Sequence, residues 1–147
     1  MEVGTELSRD LNRLTARIDL AGDRLLADEY GLSYRHFVTL LLVGQLTAPM
    51  QRALAEAMGV SEPSISRMTK VLRHAGLLDA STTGLSGGNR RQLGLTPAGK
   101  DVVEQCRGVL ELRLVDLAAR SRVPYAVYLR QTRQLLQACF PASEVAQ

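Results

Sequence analysis

Apolar side chains in the first part of the chain recur at the spacing of a helix. Within residues 5–29 they predict a long helix with one apolar stripe, made of Leu7, Leu11, Leu14, Ile18, Ala21 and Leu25. Thr5 is the predicted N-cap of this helix. Residues 34–45 are apolar nearly all round, so they predict a second, buried helix that Ser33 caps.

Two shorter amphipathic helices follow in close succession. Residues 50–58 and 62–75 are separated by a turn in which Gly59 ends the first helix. The side chains predicted to point inward are Leu54, Ala57 and Met58 in the first helix and Ile65, Met68, Leu72 and Ala75 in the second. A short helix, a tight turn and a second helix are typical of a helix-turn-helix.

The helical pattern stops at the end of this pair. Residues 79–96 are rich in Gly, Ser and Thr, which predicts two short strands, about 78–82 and 91–95, around a glycine-rich loop. Thr96 and Pro97 then suit the start of a long helix over 97–119. Pro124 begins a last predicted helix, over 124–139.

This order of elements predicts a mostly α fold with a small β-hairpin wing, in a single domain that comprises residues 1–147. Residues 34–96 form the winged helix-turn-helix, and the segments 5–29 and 97–140 flank it. The apolar stripes of these flanking segments are larger than a compact central module can cover. We therefore expect them to pair with a second copy of the chain as the dimerisation helices of a symmetric homodimer.

Composition narrows the class of protein. Hydrophobic residues make up 46% and charged residues 22% of the 147 residues, as in ordinary globular domains. The longest apolar run, Phe37–Val43, is too short to cross a bilayer, and the first residues lack the pattern of a signal peptide. Two distant cysteines make no disulfide framework. We expect a cytoplasmic protein with no membrane partner.

Positive charge is concentrated in the middle of the chain. Residues 61–91 hold five basic against two acidic side chains, whereas residues 1–35 hold five against seven. On a helical wheel of about 100° per residue, the face of helix 62–75 opposite its apolar side carries Pro63, Ser66, Arg67, Lys70 and His74. An ordinary surface helix usually carries acids as well, but past Glu62 this face has none. The pattern favours contact with a polyanion.

The residue types on this face suit double-stranded DNA. Arg67 can contact guanine through two hydrogen bonds or clamp a phosphate, and Lys70 suits a phosphate. Short hydroxyls let a helix approach closely, and a helix N-terminus attracts phosphate. Arginines beside the glycines of the hairpin can enter a minor groove. The predicted DNA-binding residues are Ser61, Pro63, Ser64, Ser66, Arg67, Lys70, His74, Arg90 and Arg91.

These segments resemble a known family. The run QRALAEAMGVSEPSISRMTKVLRHAGLL, the hairpin with its arginines and the run LGLTPAGKDVV are similar to the MarR family of bacterial transcription regulators. The resemblance implies an intertwined dimer that binds a pseudo-palindromic operator, with residues 62–75 as the recognition helix. It also implies a repressor that a small, often anionic aromatic ligand releases. The family wing usually carries Asp-x-Arg, whereas this chain has Asn89-Arg90-Arg91, so the arginine lacks an acidic brace.

The effector site is less clearly marked. Arg13 and Arg17 share one turn of the first helix and His36 opens the second, so these three residues are candidates for binding a carboxylate. Cys106 and Cys139 lie on apolar helical faces, and no cation at helical spacing marks either as a redox sensor. The histidines and cysteines lack metal-ligand spacing, so we predict neither a metal nor a cofactor.

An enzyme is the least favoured class. The run GLTPAGKD has the spacing of a phosphate-binding loop, but Asp101 stands where a Mg²⁺-binding hydroxyl is needed and Pro97 removes a backbone donor. No nucleophile-base or paired-carboxylate arrangement is visible. Two alternatives to a sequence-specific regulator remain. One is a sequence-tolerant architectural DNA-binding protein, and the other is a winged helix used for protein contacts.

Overall fold

The structure is a computed structural model that describes residues 2–82 and 91–139. Over these residues it contains six helices and two strands. Their bounds are α1 (Glu2–Tyr30), α2 (Tyr34–Gln45), α3 (Gln51–Met58), α4 (Glu62–His74), β1 (Leu78–Thr82), β2 (Arg91–Leu95), α5 (Pro97–Arg120) and α6 (Tyr125–Cys139). The prediction of a mostly α fold with a hairpin wing is confirmed, including the bounds of both strands.

The start of the first helix differs from the prediction. Helix α1 begins at Glu2, so Thr5 lies inside the helix and the prediction that it is the N-cap was wrong. A cap position depends on where backbone hydrogen bonding begins, which the apolar period of the sequence does not encode. At α2 the prediction is confirmed, because the Ser33 side chain accepts a hydrogen bond from the His36 backbone N–H at 3.1 Å.

The turn between α3 and α4 is closed by a glycine. Gly59 has a φ of +65°, a left-handed conformation that favours glycine. Its N–H donates to the Glu56 carbonyl at 3.1 Å, and the Val60 N–H donates to the Ala55 carbonyl at the same distance. This pair of bonds is a Schellman motif, which ends α3 within one residue. The turn therefore fixes the direction in which α4 leaves.

A single apolar core lies beneath these helices in the unit Met1–Arg107. Its fully buried side chains include Leu26, Leu40, Leu54, Ile65, Leu72 and Leu93. Two predicted inward positions were wrong, since Ala57 and Ala75 are exposed, whereas Ala55 and Thr69 are buried. Burial of Thr69 is tolerated because its hydroxyl donates to the Ile65 carbonyl at 2.9 Å.

The wing is anchored to the helix-turn-helix at its base. Strands β1 and β2 are antiparallel, with Leu78 opposite Leu95 and Thr82 opposite Arg91. A bridge joins Met50 to Gln92, and the Leu93 N–H donates to the Pro49 carbonyl at 2.9 Å. The residues just before α3 are thus tied to β2 by one isolated β-bridge and one backbone hydrogen bond.

The start of α5 is also tied to this region. The Thr96 hydroxyl accepts from the Gly99 N–H at 3.0 Å, which confirms Thr96 as the N-cap. The same hydroxyl donates to the Gly76 carbonyl at 2.7 Å. Gly99 passes so close to the Leu77 carbonyl that a Cβ atom there would collide with it.

The unit Gly108–Gln147 contains the rest of α5 and the helix α6. Helix α6 has no buried residue in the single chain, and Leu112 on α5 is 72% exposed. Across the described ranges 2–82 and 91–139, no helix is long and apolar enough to cross a membrane.

Candidate nucleic-acid interface

The N-terminus of α4 is organised by two serines. The Ser61 side chain accepts a hydrogen bond from the Ser64 backbone N–H at 3.4 Å, which confirms Ser61 as the N-cap. The two hydroxyl oxygens lie 3.0 Å apart, and Pro63 occupies the first turn, where a missing N–H costs no hydrogen bond. The start of α4 therefore offers the hydroxyls of Ser61 and Ser64 to an anion, although the Ser64 N–H is already bonded and Pro63 has no N–H.

The outer face of α4 is polar, basic and accessible. Ser64 is half-buried, and the other predicted members are exposed, namely Pro63, Ser66, Arg67, Lys70 and His74. The Arg67 guanidinium donates from Nη2 to the Ser64 hydroxyl at 3.4 Å. None of the ion pairs found within the described residues involves a basic side chain of α4. The positive charges of this face are thus available to an external partner.

One apolar residue on this surface escaped the sequence prediction. Val71 is 53% exposed and lies between Lys70 and the last turn of α4. It lines an open depression of about 660 Å³ together with Lys70, Arg73, His74, Leu78 and Asp79. On the helical wheel Val71 falls beside Arg67, so the sequence pattern already places it on this face. It was missed because the DNA-binding residues were predicted mainly from polar side chains. A branched apolar group next to cations suits a thymine methyl group.

The wing adds one described cation. Arg91 is exposed at the start of β2, opposite Thr82. Arg90, together with Asn89 of the atypical wing motif, lies outside the described residues. Which arginine of the wing would reach a minor groove stays a prediction.

The three candidate effector residues lie on α1 and α2. Arg13 and Arg17 are exposed on α1, and His36 is half-buried in the first turn of α2. Burial lowers the pKa of His36, and the nearby Asp23 carboxylate opposes that shift. The side-chain hydrogen bonds of the described residues do not join either arginine to His36. The prediction that the three form one anion site therefore stays a prediction.

Comparisons with known proteins bear on the fold. No protein-family model matches the sequence, and no curated protein matches it. Solved structures do match. A transcriptional regulator (MarR family) from Rhodococcus sp. RHA1 is 19% identical, with a TM-score of 0.80 over 95% of this chain and 96% of that one. The chain has the MarR-family winged-helix fold.

Two further structures share the MarR fold with this chain. CouR from Rhodococcus jostii RHA1, bound to p-coumaroyl-CoA, is 19% identical with a TM-score of 0.77 over 92% of this chain and 93% of that one. S. aureus MepR in a complex with DNA is 17% identical with a TM-score of 0.71 over 90% of this chain and 95% of that one. Both are similar to this chain across nearly the whole fold.

The two cysteines of this MarR fold have different environments. Cys106 is fully buried on α5, and burial followed by the Glu29 charge raises the pKa of its thiol. Its neighbour Arg107 is paired with Glu104 at 2.7 Å. Cys139 ends α6 and is exposed in the single chain, although its sequence context indicated an apolar face. Within the described part of the chain, no group of three His, Cys, Asp or Glu side chains could hold a metal ion.

Proposed function

We propose that this protein is a sequence-specific DNA-binding transcriptional regulator that acts as a dimer on a pseudo-palindromic operator. The observation that carries the proposal is the outer face of α4, where Arg67, Lys70 and His74 are exposed and no acid follows Glu62. A face used for protein contacts would be expected to carry acidic groups, or more apolar groups than the exposed Val71. The solved MepR–DNA complex, which has the same fold, supports DNA as the partner class.

Each side chain has a specific role in this proposal. Helix α4 enters the major groove with its N-terminus towards a phosphate, held by Ser61 and Ser64. Arg67 donates two hydrogen bonds to a guanine edge, since among the described residues its guanidinium is bonded to the Ser64 hydroxyl alone. Lys70 and His74 contact the backbone farther along the helix.

The remaining contacts come from the helix flanks and the wing. Pro63 and Val71 supply apolar contacts to thymine methyl groups, and Ser66 is short enough to let the helix come close. Glu62 is expected to accept a hydrogen bond from a cytosine amino group, since it would otherwise repel phosphate. Arg91 at the start of β2 and Arg90, which precedes it in the sequence, are assigned to the minor groove of the same half-site.

Dimerisation is part of the proposal. The single chain exposes apolar side chains on α1 and, separately, on the unit Gly108–Gln147, including Leu7, Leu11, Leu112, Leu135 and Leu136. Burying such residues against a second copy is favourable, and it places two recognition helices about one turn of DNA apart.

The regulator is further proposed to be a cytoplasmic repressor. Bound at a promoter, the dimer would block polymerase, and an anionic aromatic effector would release it. Arg13, Arg17 and His36 are the candidate effector ligands, and the p-coumaroyl-CoA complex of CouR supports a small-molecule effector in this fold. A thermal-shift titration with salicylate, on the wild type and on Arg17→Ala, tests the site. An equal shift in both proteins would exclude Arg17.

The first experiment measures DNA binding itself. Fluorescence anisotropy compares the duplex upstream of the protein's own gene with a scrambled duplex, at several salt concentrations. We expect tight binding to the upstream duplex and a large ratio over the scrambled one. Equal binding to both duplexes with a steep salt slope would favour an architectural protein. If neither duplex binds, selection from random DNA distinguishes a distant operator from a protein-contact module.

A further inference from the structure

Two methionine sulfur atoms converge on one buried hydroxyl in the centre of the helix-turn-helix. The Thr39 side chain, on α2, is fully buried. Its Oγ1 lies 3.3 Å from Sδ of Met58, on α3, and 3.8 Å from Sδ of Met68, on α4. We name these three residues the Met–Thr cluster. It joins the recognition helix α4 to α2 and α3, the two helices that it contacts here.

The hydroxyl of this cluster is already engaged. Thr39 Oγ1 donates to the Arg35 carbonyl at 2.8 Å, and a hydroxyl has only one hydrogen to give. A thioether is a weak acceptor, so the present arrangement leaves no strong acceptor without a donor. A sulfoxide oxygen at either sulfur would change this, because it is a strong acceptor beside a hydroxyl whose one hydrogen is already given to the Arg35 carbonyl.

Both methionines are partly exposed to solvent. Met58 and Met68 are half-buried, whereas Thr39 beneath them is closed to solvent. Two of the four methionines in the chain thus sit where a chemical change alters the packing of α3 and α4 on α2. A third, Met50, is 41% exposed just before α3 and is not part of the cluster.

We propose that Met58 and Met68 form an oxidation site that loosens the recognition helix. With hypochlorous acid as the oxidant, the thioether sulfur loses two electrons and gains an S–O bond. The O–Cl bond breaks, and chlorine leaves as chloride with a proton. The sulfoxide disturbs the Met–Thr cluster, so α4 loses its fixed position on α2. The release of DNA that follows rests on the proposed function, whereas the loosening does not.

The test uses the full chain in a Cys139→Ser background, which removes the exposed thiol. Sodium hypochlorite is added in small molar steps, and peptide mass spectrometry reports sulfoxide at each methionine. Thermal unfolding and anisotropy with the upstream duplex are measured on the same samples. We expect the unfolding midpoint to fall by about 5 °C and DNA affinity to fall about tenfold as Met58 or Met68 is oxidised. The two methionine sulfoxide reductases together should restore both.

Leucine variants supply the controls, since Leu and Met exchange with little change in volume. Met58→Leu with Met68→Leu should abolish the response, and Met50→Leu should leave it intact. Should the double variant fail to fold, each single variant should lose part of the response.

Three results would overturn the inference. They are oxidation of Met50 alone, sulfoxide at Met58 and Met68 without a fall in midpoint, and an unchanged response in the leucine variants. A failure of the proposed function looks different. In that case the reduced protein binds no DNA, while the unfolding midpoint still responds to oxidation of the cluster.

Discussion

Arg67 has no acidic partner among the residues that the structure describes. Its guanidinium reaches the Ser64 hydroxyl at 3.4 Å, whereas Arg52, Arg107 and Arg120 are each paired with a carboxylate on their own helix. Apart from the hydrogen that Nη2 donates to Ser64, Arg67 keeps its donors for an incoming base edge or phosphate.

Replacing Arg67 with Ala should reduce sequence discrimination more than it reduces binding to random DNA. Loss of a two-bond contact to guanine costs about 1–3 kcal/mol of discrimination at one base pair. Anisotropy with operator duplexes that carry single substitutions measures this directly. Arg113→Ala, which removes an exposed charge from α5, is the matched control. If both variants lose affinity equally for every duplex, Arg67 contributes only its charge.

We expect the Val71 side chain to contact the methyl group of a thymine. Replacing that thymine with uracil removes the methyl alone and should weaken the wild type by about 1 kcal/mol, a value near that of one buried methylene. Val71→Ala should bind both duplexes with nearly the same affinity. A double-mutant cycle over the two proteins and two duplexes isolates the contact. Additive losses would show that Val71 and the methyl do not meet.

Among the elements of the helix-turn-helix, the loops on the two sides of α3 differ in backbone strain. Gly59 takes its left-handed conformation at little cost, whereas Thr47 and Ala48, between α2 and α3, adopt φ values of +55° and +57° without being glycine. A left-handed residue with a side chain is strained by roughly 1–2 kcal/mol. The loop before α3 therefore holds strain that the turn after α3 avoids.

Exchanging the residue types at these two turns should move stability in opposite directions. Ala48→Gly should raise the free energy of unfolding by up to about 1 kcal/mol, and Gly59→Ala should lower it by about 1 kcal/mol or more. Among the described residues other than Gly59 and its two neighbours in the chain, no atom lies within 4 Å of a Cβ placed at Gly59, so the loss would come from the backbone conformation. Urea unfolding of the two variants provides the measurement. A stabilised Gly59→Ala protein would contradict the left-handed turn.

The wing should contribute charge more than sequence preference. Arg91→Ala should weaken binding to all duplexes alike and reduce the salt slope by about one unit, as expected for one lost phosphate contact. Anisotropy between low and moderate salt gives the slope. An unchanged slope would place Arg91 away from the DNA.

The sequence predicted the elements well and parts of the packing less well. Strands 78–82 and 91–95 were found because the glycines between them and Thr96–Pro97 after them are strong local signals. Thr69 was missed because a threonine reads as polar unless its hydroxyl is known to bond to its own helix. Alanine is only weakly hydrophobic, so the sequence pattern did not show that Ala55, and not Ala57, is the buried alanine of α3.

Long-range contacts could not be predicted from local pattern. The bridge from Met50 to Gln92 and the convergence of Met58 and Met68 on Thr39 join residues far apart in the sequence. For the candidate interface, the helix and its polar residues followed from the wheel, whereas the exposure of Val71 required the structure. The DNA contacts themselves are still predictions.

At the scale of the whole molecule, the single chain leaves much apolar surface uncovered. Leu112 is 72% exposed, and Leu135 and Leu136 on α6 are each more than half exposed. Isolated apolar residues on a surface are ordinary, but a helix that buries none of its residues in its own chain usually packs against a partner.

A charge at Leu112 should therefore separate the dimer. Leu112→Glu is expected to sediment as a monomer, because a carboxylate buried in an apolar interface would be unpaired. Leu46→Glu makes the same change at an exposed leucine after α2 and should remain dimeric. Sedimentation velocity at several concentrations distinguishes the two, and a monomeric wild type would exclude the dimer.

The attachment of β2 to the residues before α3 has a consequence for the geometry of an operator. The Met50–Gln92 bridge and the Leu93–Pro49 hydrogen bond couple the wing to α3 and α4, so that these elements are expected to contact DNA as one rigid unit. A rigid unit can tolerate a changed base pair, but it cannot adjust to a change in the spacing between the base pairs that α4 and the wing contact. One base pair inserted between the segments read by α4 and by the wing would turn them about 34° apart. Each half-site should therefore keep a fixed number of base pairs between these two contacts, even where the base sequence varies.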